Sequence, residues 1–434
     1  MSPSTPPRHN ARATAVSILG RWLQTGNFPD RLIAPGTPDR AFVTELVYGV
    51  IRWKRQLEWL VRTLARRNPE NDVAVCLWVG LYQLLRMDHV ADHAAVHETV
   101  ELVKQGRHAR AAGFVNHLLR EAIRQRESLQ ASIQAQPLGI RESHPDDLIE
   151  CWTRTMGADP AEALCRWNNT TPDVTIHPNP ARVNLDLYRS TLLGLGIHAI
   201  PAPAAPLRCI LLPHGISIPD LPGYREGWFS VQDPATFAAV DMLGAQPGET
   251  VLDACASPGG KTTLISESMN HTGTLVALER HADRIHRLRD TVERMQLSHV
   301  RIVQGDATHT AGSLAEYGPF DAILADVPCT NTGVIRRRPD ARWRFNTERL
   351  NRRTSVQTSI LNHLATLLKP NGRLVYSTCS LEPEENDILL QSWLTHHPTF
   401  RMVASARLLP QVSGTDGAYA ALLIASGSAG KPPA

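Results

Sequence analysis

The stretch ETVLDACASPGGKTT, residues 249–263, decides how the C-terminal half is read. Its first half is a short apolar run of the kind a buried strand uses. Turn formers follow, and a helical pattern comes after them. A strand, a glycine turn and a helix in that order let a ligand approach the backbone closely at a helix N-terminus. GGKT within the stretch suggests a phosphate cradle. That motif, however, needs a glycine five positions before Gly260, and Cys255 stands there. A full G-x-G-x-x-G is also missing, so the NTPase and dinucleotide readings both weaken.

Further along, GTLVALER, VRIVQGDA, FDAILADVP and GRLVYSTCS are strand candidates separated by helix-length segments. This alternation predicts a doubly wound parallel sheet, whose ligands sit at the carboxyl ends of the strands. Acidic residues stand at four such ends: Asp253, Glu279, Asp306 and Asp326. One acidic strand end is usually a turn former, but four in order favour a cofactor site. A close backbone approach without a phosphate cradle suits a smaller nucleoside, S-adenosylmethionine. Glu279, nineteen residues after Gly260, is placed to accept from both ribose hydroxyls, and Asp306 to meet the adenine edge.

Cys329 and Cys379 close two of these runs, in LADVPCTNTG and YSTCSLEPEEN. A cysteine elsewhere is most often a small buried hydrophobe, which is the reading for Cys76, Cys151, Cys165 and Cys209. At two strand ends beside a methyl donor, thiols have a chemical use. The C5 carbon of a pyrimidine is a poor nucleophile until a thiolate adds at C6. The adduct must afterwards lose its C5 proton and expel the sulfur, so one cysteine makes the bond and the other helps to break it. Asp326, near N3 and the exocyclic amine, would favour cytosine.

The chain has 434 residues, 42% hydrophobic and 20% charged, and a net charge of only +3, which predicts no partner by itself. Seven cysteines without a C-x-x-C suggest neither a disulfide framework nor a zinc knuckle, and the cytoplasm is the expected location. The N-terminal MSPSTPPRHNARAT lacks the apolar core of a signal peptide. AVCLWVGLYQLL from Ala74 is shorter than the roughly 20 residues that span a bilayer and reads as a buried helix. In RAFVTELVYGVIRWKRQLEWLVRTLARR, Phe42, Leu46, Val50, Leu57, Leu60, Val61 and Leu64 recur at helical spacing. Arg52, Lys54, Arg55, Arg62, Arg66 and Arg67 fill much of the rest, as a solvated face or a phosphate-binding one. His89, His93 and His97 are four apart, but without a carboxylate or cysteine partner at ligand spacing they read as packing, so no metal is expected. SHPDDLIECWTRTM reads as a capped helix, and CILLP as a short strand in a proline-rich α/β connector.

DACASPGGKT, LADVPCTNTGVIRRRPDARW and YSTCSLEPEEN resemble the cofactor loop and two cysteine motifs of RNA 5-methylcytosine methyltransferases. The resemblance makes Cys379 the nucleophile and Cys329 the release cysteine; DNA cytosine methyltransferases instead use the prolyl cysteine as nucleophile and lack STCS. It also carries cofactor contacts over to Cys255, Ala256, Ser257, Pro258, Gly259, Gly260, Lys261, Glu279, Asp306 and Asp326, with Glu279 replacing the more usual aspartate. DRAFVTELVYGVIRW, VGLYQLL, HAAVHETVELVK and AGFVNHLLR resemble the NusB-like RNA-binding domain fused to the ribosomal small-subunit methyltransferase B group. The expected organisation is multidomain. An all-α NusB-like domain covers residues 1–137, a small α/β connector 138–227, and a Rossmann-like, S-adenosylmethionine-dependent methyltransferase domain 228–428. The implied activity is cytosine-C5 methylation of 16S rRNA by a monomer, with RNA as partner and no membrane. The same chemistry on tRNA, or a non-catalytic ribosome-assembly factor, are the rivals. Three positions depart from the pattern: His177 replaces a common arginine, and Ala418 and Leu422 replace an aromatic and a basic residue. These bear on RNA contacts only.

Overall fold

A computed structural model describes residues 10–65, 67–309, 314 and 316–426; Arg66 lies outside the described residues. The chain divides into two compact units. One comprises residues up to Thr170 together with Arg337–Arg344, and the other comprises Thr171–Arg336 with Phe345 onward.

The first unit is helical. Asn10 opens helix Ala11–Thr25 by accepting from the backbone N–H of Arg12 and Ala13, and Gly26 closes it in the left-handed region. Helix Arg40–Leu64 buries Leu46, Val50, Leu57, Leu60 and Val61 of the stripe that the sequence spacing predicts, and Val47 and Ile51 beside them, while Phe42 and Leu64 pack at its margin. Helix Asn71–Arg86 contains the apolar run from Ala74 and is buried on most of its surface. Much of the basic face of helix Arg40–Leu64 is used internally. Arg55 makes a two-pronged pair with Asp146 and donates to the His144 carbonyl, and Lys54 pairs with Glu58. Helix Asp146–Met156 forms where SHPDDLIECWTRTM predicts it, but it is entered through Pro145 with no side-chain cap. Among the described residues no three His, Cys, Asp or Glu side chains gather as metal ligands, and no helix is long and apolar enough to cross a membrane.

The connector expected over 138–227 divides at Thr170. Its helices Asp146–Met156 and Ala158–Asn168 join the first unit, held by Arg55–Asp146 and by Gln56 Nε2 on the Arg141 carbonyl. Its strands join the second unit, as an antiparallel sheet in the order β2 (Ile200–Pro201), β3 (Ile210–Leu212), β1 (Val174–Pro178), β4 (Phe229–Val231). His177 lies within this sheet. Its ring is buried, bonded to the Arg208 carbonyl at 2.7 Å and to Glu267 at 2.8 Å. The departure from arginine therefore ties β1 to the helix carrying Glu267.

The large sheet has the order β10-β11-β9-β8-β5-β6-β7. β5 (Thr250–Asp253), β6 (Thr274–Glu279), β7 (Val300–Gln304), β8 (Phe320–Asp326) and β9 (Leu368–Thr378) are parallel and match the five predicted strands. β10 (Phe400–Leu408) and β11 (Ala418–Ala425) extend it antiparallel beyond β9, and sequence reading had not placed them. Ala418 and Leu422 lie in β11, paired with both neighbouring strands or one of them, so these two departures are sheet positions. Strand order reverses between β5 and β8, which puts a crevice at the carboxyl ends of those two strands.

Candidate active site

At the end of β5 the turn 254–259 is tied to both neighbouring strands. Ala254 N–H donates to the Leu324 carbonyl and Ala256 N–H to that of Leu278, at 2.8 and 3.0 Å. Helix Ala282–Arg294 holds it from outside through Thr291 Oγ1 on the Pro258 carbonyl at 2.7 Å. Gly259 has φ +104°, where a side chain is strained, and a Cβ there would lie 3.0 Å from Thr291. The next helix, Gly260–Ser268, directs Lys261 onto Asp326, Nζ to Oδ2 2.7 Å. Burial would lower the Lys261 pKa, but Asp326, Cys379 and Asp253 outweigh it and the net direction is up.

The four acidic strand ends converge. The Cys255 thiol is pushed up by burial and then by Asp326, Asp253, Glu279 and Asp306 together. Asp253 is buried; Thr262 donates to its Oδ2 at 2.7 Å, while Oδ1 has no hydrogen-bond partner among the described residues. Burial pushes this carboxyl up to about 7, with Thr262 opposing and Asp326 adding to the rise. Glu279 accepts from the His281 N–H through Oε1 and keeps Oε2 without a partner among the described residues. Asp306 differs, because both its oxygens are engaged: Oδ1 by Thr308 N–H and Oγ1, Oδ2 by Arg280 at 3.1 Å. Burial opposes ionisation there, but Thr308 and Arg280 outweigh it and hold its pKa down. A half-used buried carboxylate, an orphaned buried acceptor and a left-handed glycine turn form an acceptor set that fits S-adenosylmethionine, a cationic nucleoside with hydroxyl and amine donors.

The two cysteines meet because β8 and β9 are parallel neighbours with Asp326 level with Ser377. Three residues past one and two past the other, Cys329 Sγ and Cys379 Sγ lie 3.3 Å apart. Cys329 is buried and Cys379 is half-buried. The Cys329 thiol is pushed well up, first by its hydrogen bond to Cys379, then by burial and by the charges of Cys379 and Glu385.

Around them lies a polar frame that sequence reading did not assign. Asn331, at φ +63°, accepts from Cys379 Sγ at 3.1 Å through Oδ1 and donates to the Cys329 carbonyl at 3.2 Å through Nδ2. The buried Glu385 accepts from the Thr330 N–H and hydroxyl and from Gln357 Nε2. Burial raises its pKa against these bonds. Asn386 accepts from Thr378 Oγ1 and donates to the Ser380 carbonyl. The signal for Glu385 and Asn386 was the polar run EPEEN after the second cysteine, where buried acids are out of place unless bonded.

A model of the 16S rRNA methyltransferase RsmB/F family matches residues 240–424, and a model of the NusB family matches residues 9–124. Ribosomal RNA small subunit methyltransferase B of Pseudomonas putida is 34% identical over 428 residues, 95% of this chain and 97% of its own. The chain belongs to the RsmB/F family of 16S rRNA methyltransferases. The probable counterpart from Synechocystis is 35% identical over 369 residues, 84% of this chain and 82% of its own. The crystal structure of PH0851 shares the fold at TM-score 0.78 and 23% identity, covering 96% of this chain and 99% of that one. The crystal structure of NSun6 from Pyrococcus horikoshii with SFG gives 0.59 at 18% identity over 65% of this chain and 99% of that one. RsmB/F membership makes this an S-adenosylmethionine-dependent rRNA methyltransferase with an N-terminal NusB domain.

Proposed function

We infer that the chain methylates C5 of a cytosine in 16S rRNA through a covalent bond between Cys379 and C6, with Cys329 assigned to release. The observation that carries this reading is the 3.3 Å separation of two thiols at adjacent strand ends, beside the Lys261–Asp326 pair. Cys255–Lys261, Glu279, Asp306 and Asp326 would hold S-adenosylmethionine and the base edge between them. When bound, the cofactor supplies an electrophilic methyl group on its sulfonium.

The Cys379 thiolate adds to C6, and the electron pair of the C5=C6 bond becomes available at C5, which takes the methyl group. Lys261, paired with Asp326, would supply the positive charge that offsets the negative charge developing on addition, while Asp326 would accept from the exocyclic amine of the base. Release requires that the C5–H pair re-form C5=C6 while the C6–S pair returns to Cys379 as thiolate. A base must take the C5 proton. The largest causes of the raised Cys329 pKa include the hydrogen bond and the charge of Cys379. Once Cys379 is bonded to C6 as a neutral thioether, it no longer carries a charge that opposes ionisation of Cys329 at the step that needs a base.

Incubation with unmodified 16S rRNA and S-adenosylmethionine, followed by denaturing electrophoresis, tests the roles. Cys329→Ser is expected to accumulate a protein–RNA adduct, Cys379→Ser to give neither product nor adduct, and the double variant to give no adduct. An adduct from Cys379→Ser would reverse the two roles. Full turnover in both single variants would remove the covalent mechanism.

A further inference from the structure

Asn331 touches both halves of the thiol pair, and its contacts fix a direction. The Cys329 carbonyl can only accept, so the Asn331 Nδ2 amino group must face it, at 3.2 Å. Oδ1 is then the atom 3.1 Å from Cys379 Sγ, and an amide oxygen only accepts. Cys379 therefore donates its proton to Asn331. Its 3.3 Å contact with Cys329 leaves Cys379 Sγ as the acceptor and the Cys329 thiol as the donor. The three bonds close a ring with one sense of donation, from Cys329 to Cys379 to Asn331 and back to the Cys329 carbonyl.

We propose that Asn331 is a positioning residue that orders the protons on the two thiols. It holds the Cys379 S–H on Oδ1 until substrate displaces that bond and the proton leaves to solvent, which the half-buried Cys379 reaches, and it fixes Cys329 as the donor. The proposal rests on the covalent reading of the two cysteines and adds the group that sets their polarity. An accepting carbonyl favours the S–H form and disfavours the thiolate. Asn331 thus favours the S–H form of Cys379 while holding its sulfur in place. Other groups also act here. Lys261 from helix Gly260–Ser268 interacts with Cys379 and is paired with Asp326 from the end of β8, the Cys329 thiol contacts Cys379, and Glu385 acts on Cys329.

The left-handed backbone at Asn331 selects the variants, because glycine and aspartate both tolerate it. Cys379 alkylation by iodoacetamide is followed against pH by peptide mass spectrometry in the full-length protein, and methyl transfer to 16S rRNA over the same pH range. Asn331→Gly is expected to move the Cys379 midpoint down by about 0.5–1 unit, the size of one lost hydrogen bond. It should also lower kcat severalfold, with KM for S-adenosylmethionine unchanged. Asn331→Asp places a carboxylate against the sulfur and is expected to move the midpoint up. Identical midpoints in all three proteins, or shifts of the same sign in both variants, would overturn the proposal. Loss of the covalent reading would show separately, as methyl transfer that survives Cys379→Ser, since the alkylation midpoint needs no RNA.

Discussion

A buried carboxyl with one unpartnered oxygen has a measurable thermodynamic signature, and Asp253 provides it. Its pKa is about 7 in the folded protein against an ordinary 3.8, because burial penalises the charge more than Thr262 rewards it. The folded state thus holds a proton that the unfolded chain has already lost between about pH 4 and 7. Stability should fall as pH rises through that window and level off above it. Asp253→Asn keeps an acceptor for Thr262 and cannot ionise. It should flatten the slope and be more stable than the parent at pH 8 by roughly 2–4 kcal/mol, as urea unfolding at pH 5 and pH 8 would show. An unchanged slope would mean that Asp253 is ionised throughout. At this scale the sequence revealed the acids and the cysteines as types at strand ends. It did not reveal that Asp306 spends both oxygens on Thr308 and Arg280, nor that Asn331 bonds to Cys379. Those facts depend on side-chain directions within loops, which no spacing rule encodes.

Five parallel strands were legible as elements because each is a short apolar run ending in an acid or a cysteine, with helix-length spacing between them. β10 and β11 were not. β10 exposes its residues from Arg401 to Ser405 at the sheet edge, and β11 is a continuous apolar run that periodicity cannot separate from a helix. Their placement matters to the site, because the loop before β11 packs on the cysteine loops. Gly333 N–H donates to the Cys379 carbonyl at 2.9 Å, and Gly417 N–H to the Gly333 carbonyl at 2.8 Å. A Cβ on Gly333 would stand 2.8 Å from both the Cys379 and the Gly417 carbonyl oxygens, backbone atoms that cannot swing aside. Gly333→Ala must therefore push the Cys329 and Cys379 loops apart. A loss of roughly 1–3 kcal/mol is expected from overpacking, together with at least a tenfold drop in methyl transfer because the reacting groups lose their register. Normal kcat with reduced thermal stability would show that the loops relax without separating the thiols.

A net charge of +3 says little about where RNA is held, so the whole-molecule question is which basic groups remain unspent. The helical face singled out from sequence contains Arg55, which is committed to Asp146 and the His144 carbonyl. Arg342, in the segment Arg337–Arg344 of the same unit, is buried on the carbonyls of Arg52, Ser143 and Asn168 and on Asn169. These cations hold the unit together. Arg67, Arg107 and Arg110 instead line a cleft of about 1170 Å³ with His117 and Phe114, and none of the three arginines has a hydrogen bond or ion pair among the described residues. Each cation that neutralises a phosphate of single-stranded RNA contributes about 0.7 to the slope of log affinity against log salt. Changing all three to glutamine should therefore weaken 16S rRNA binding and reduce that slope by about 2, while leaving thermal stability within about 0.5 kcal/mol of the parent. Arg55→Gln is the control of opposite sign: it should lower stability and leave the slope unchanged. Fluorescence anisotropy with a labelled rRNA fragment across a salt series measures both. An unaltered slope in the triple variant would mean that the cleft is a solvated surface and that phosphate is held elsewhere.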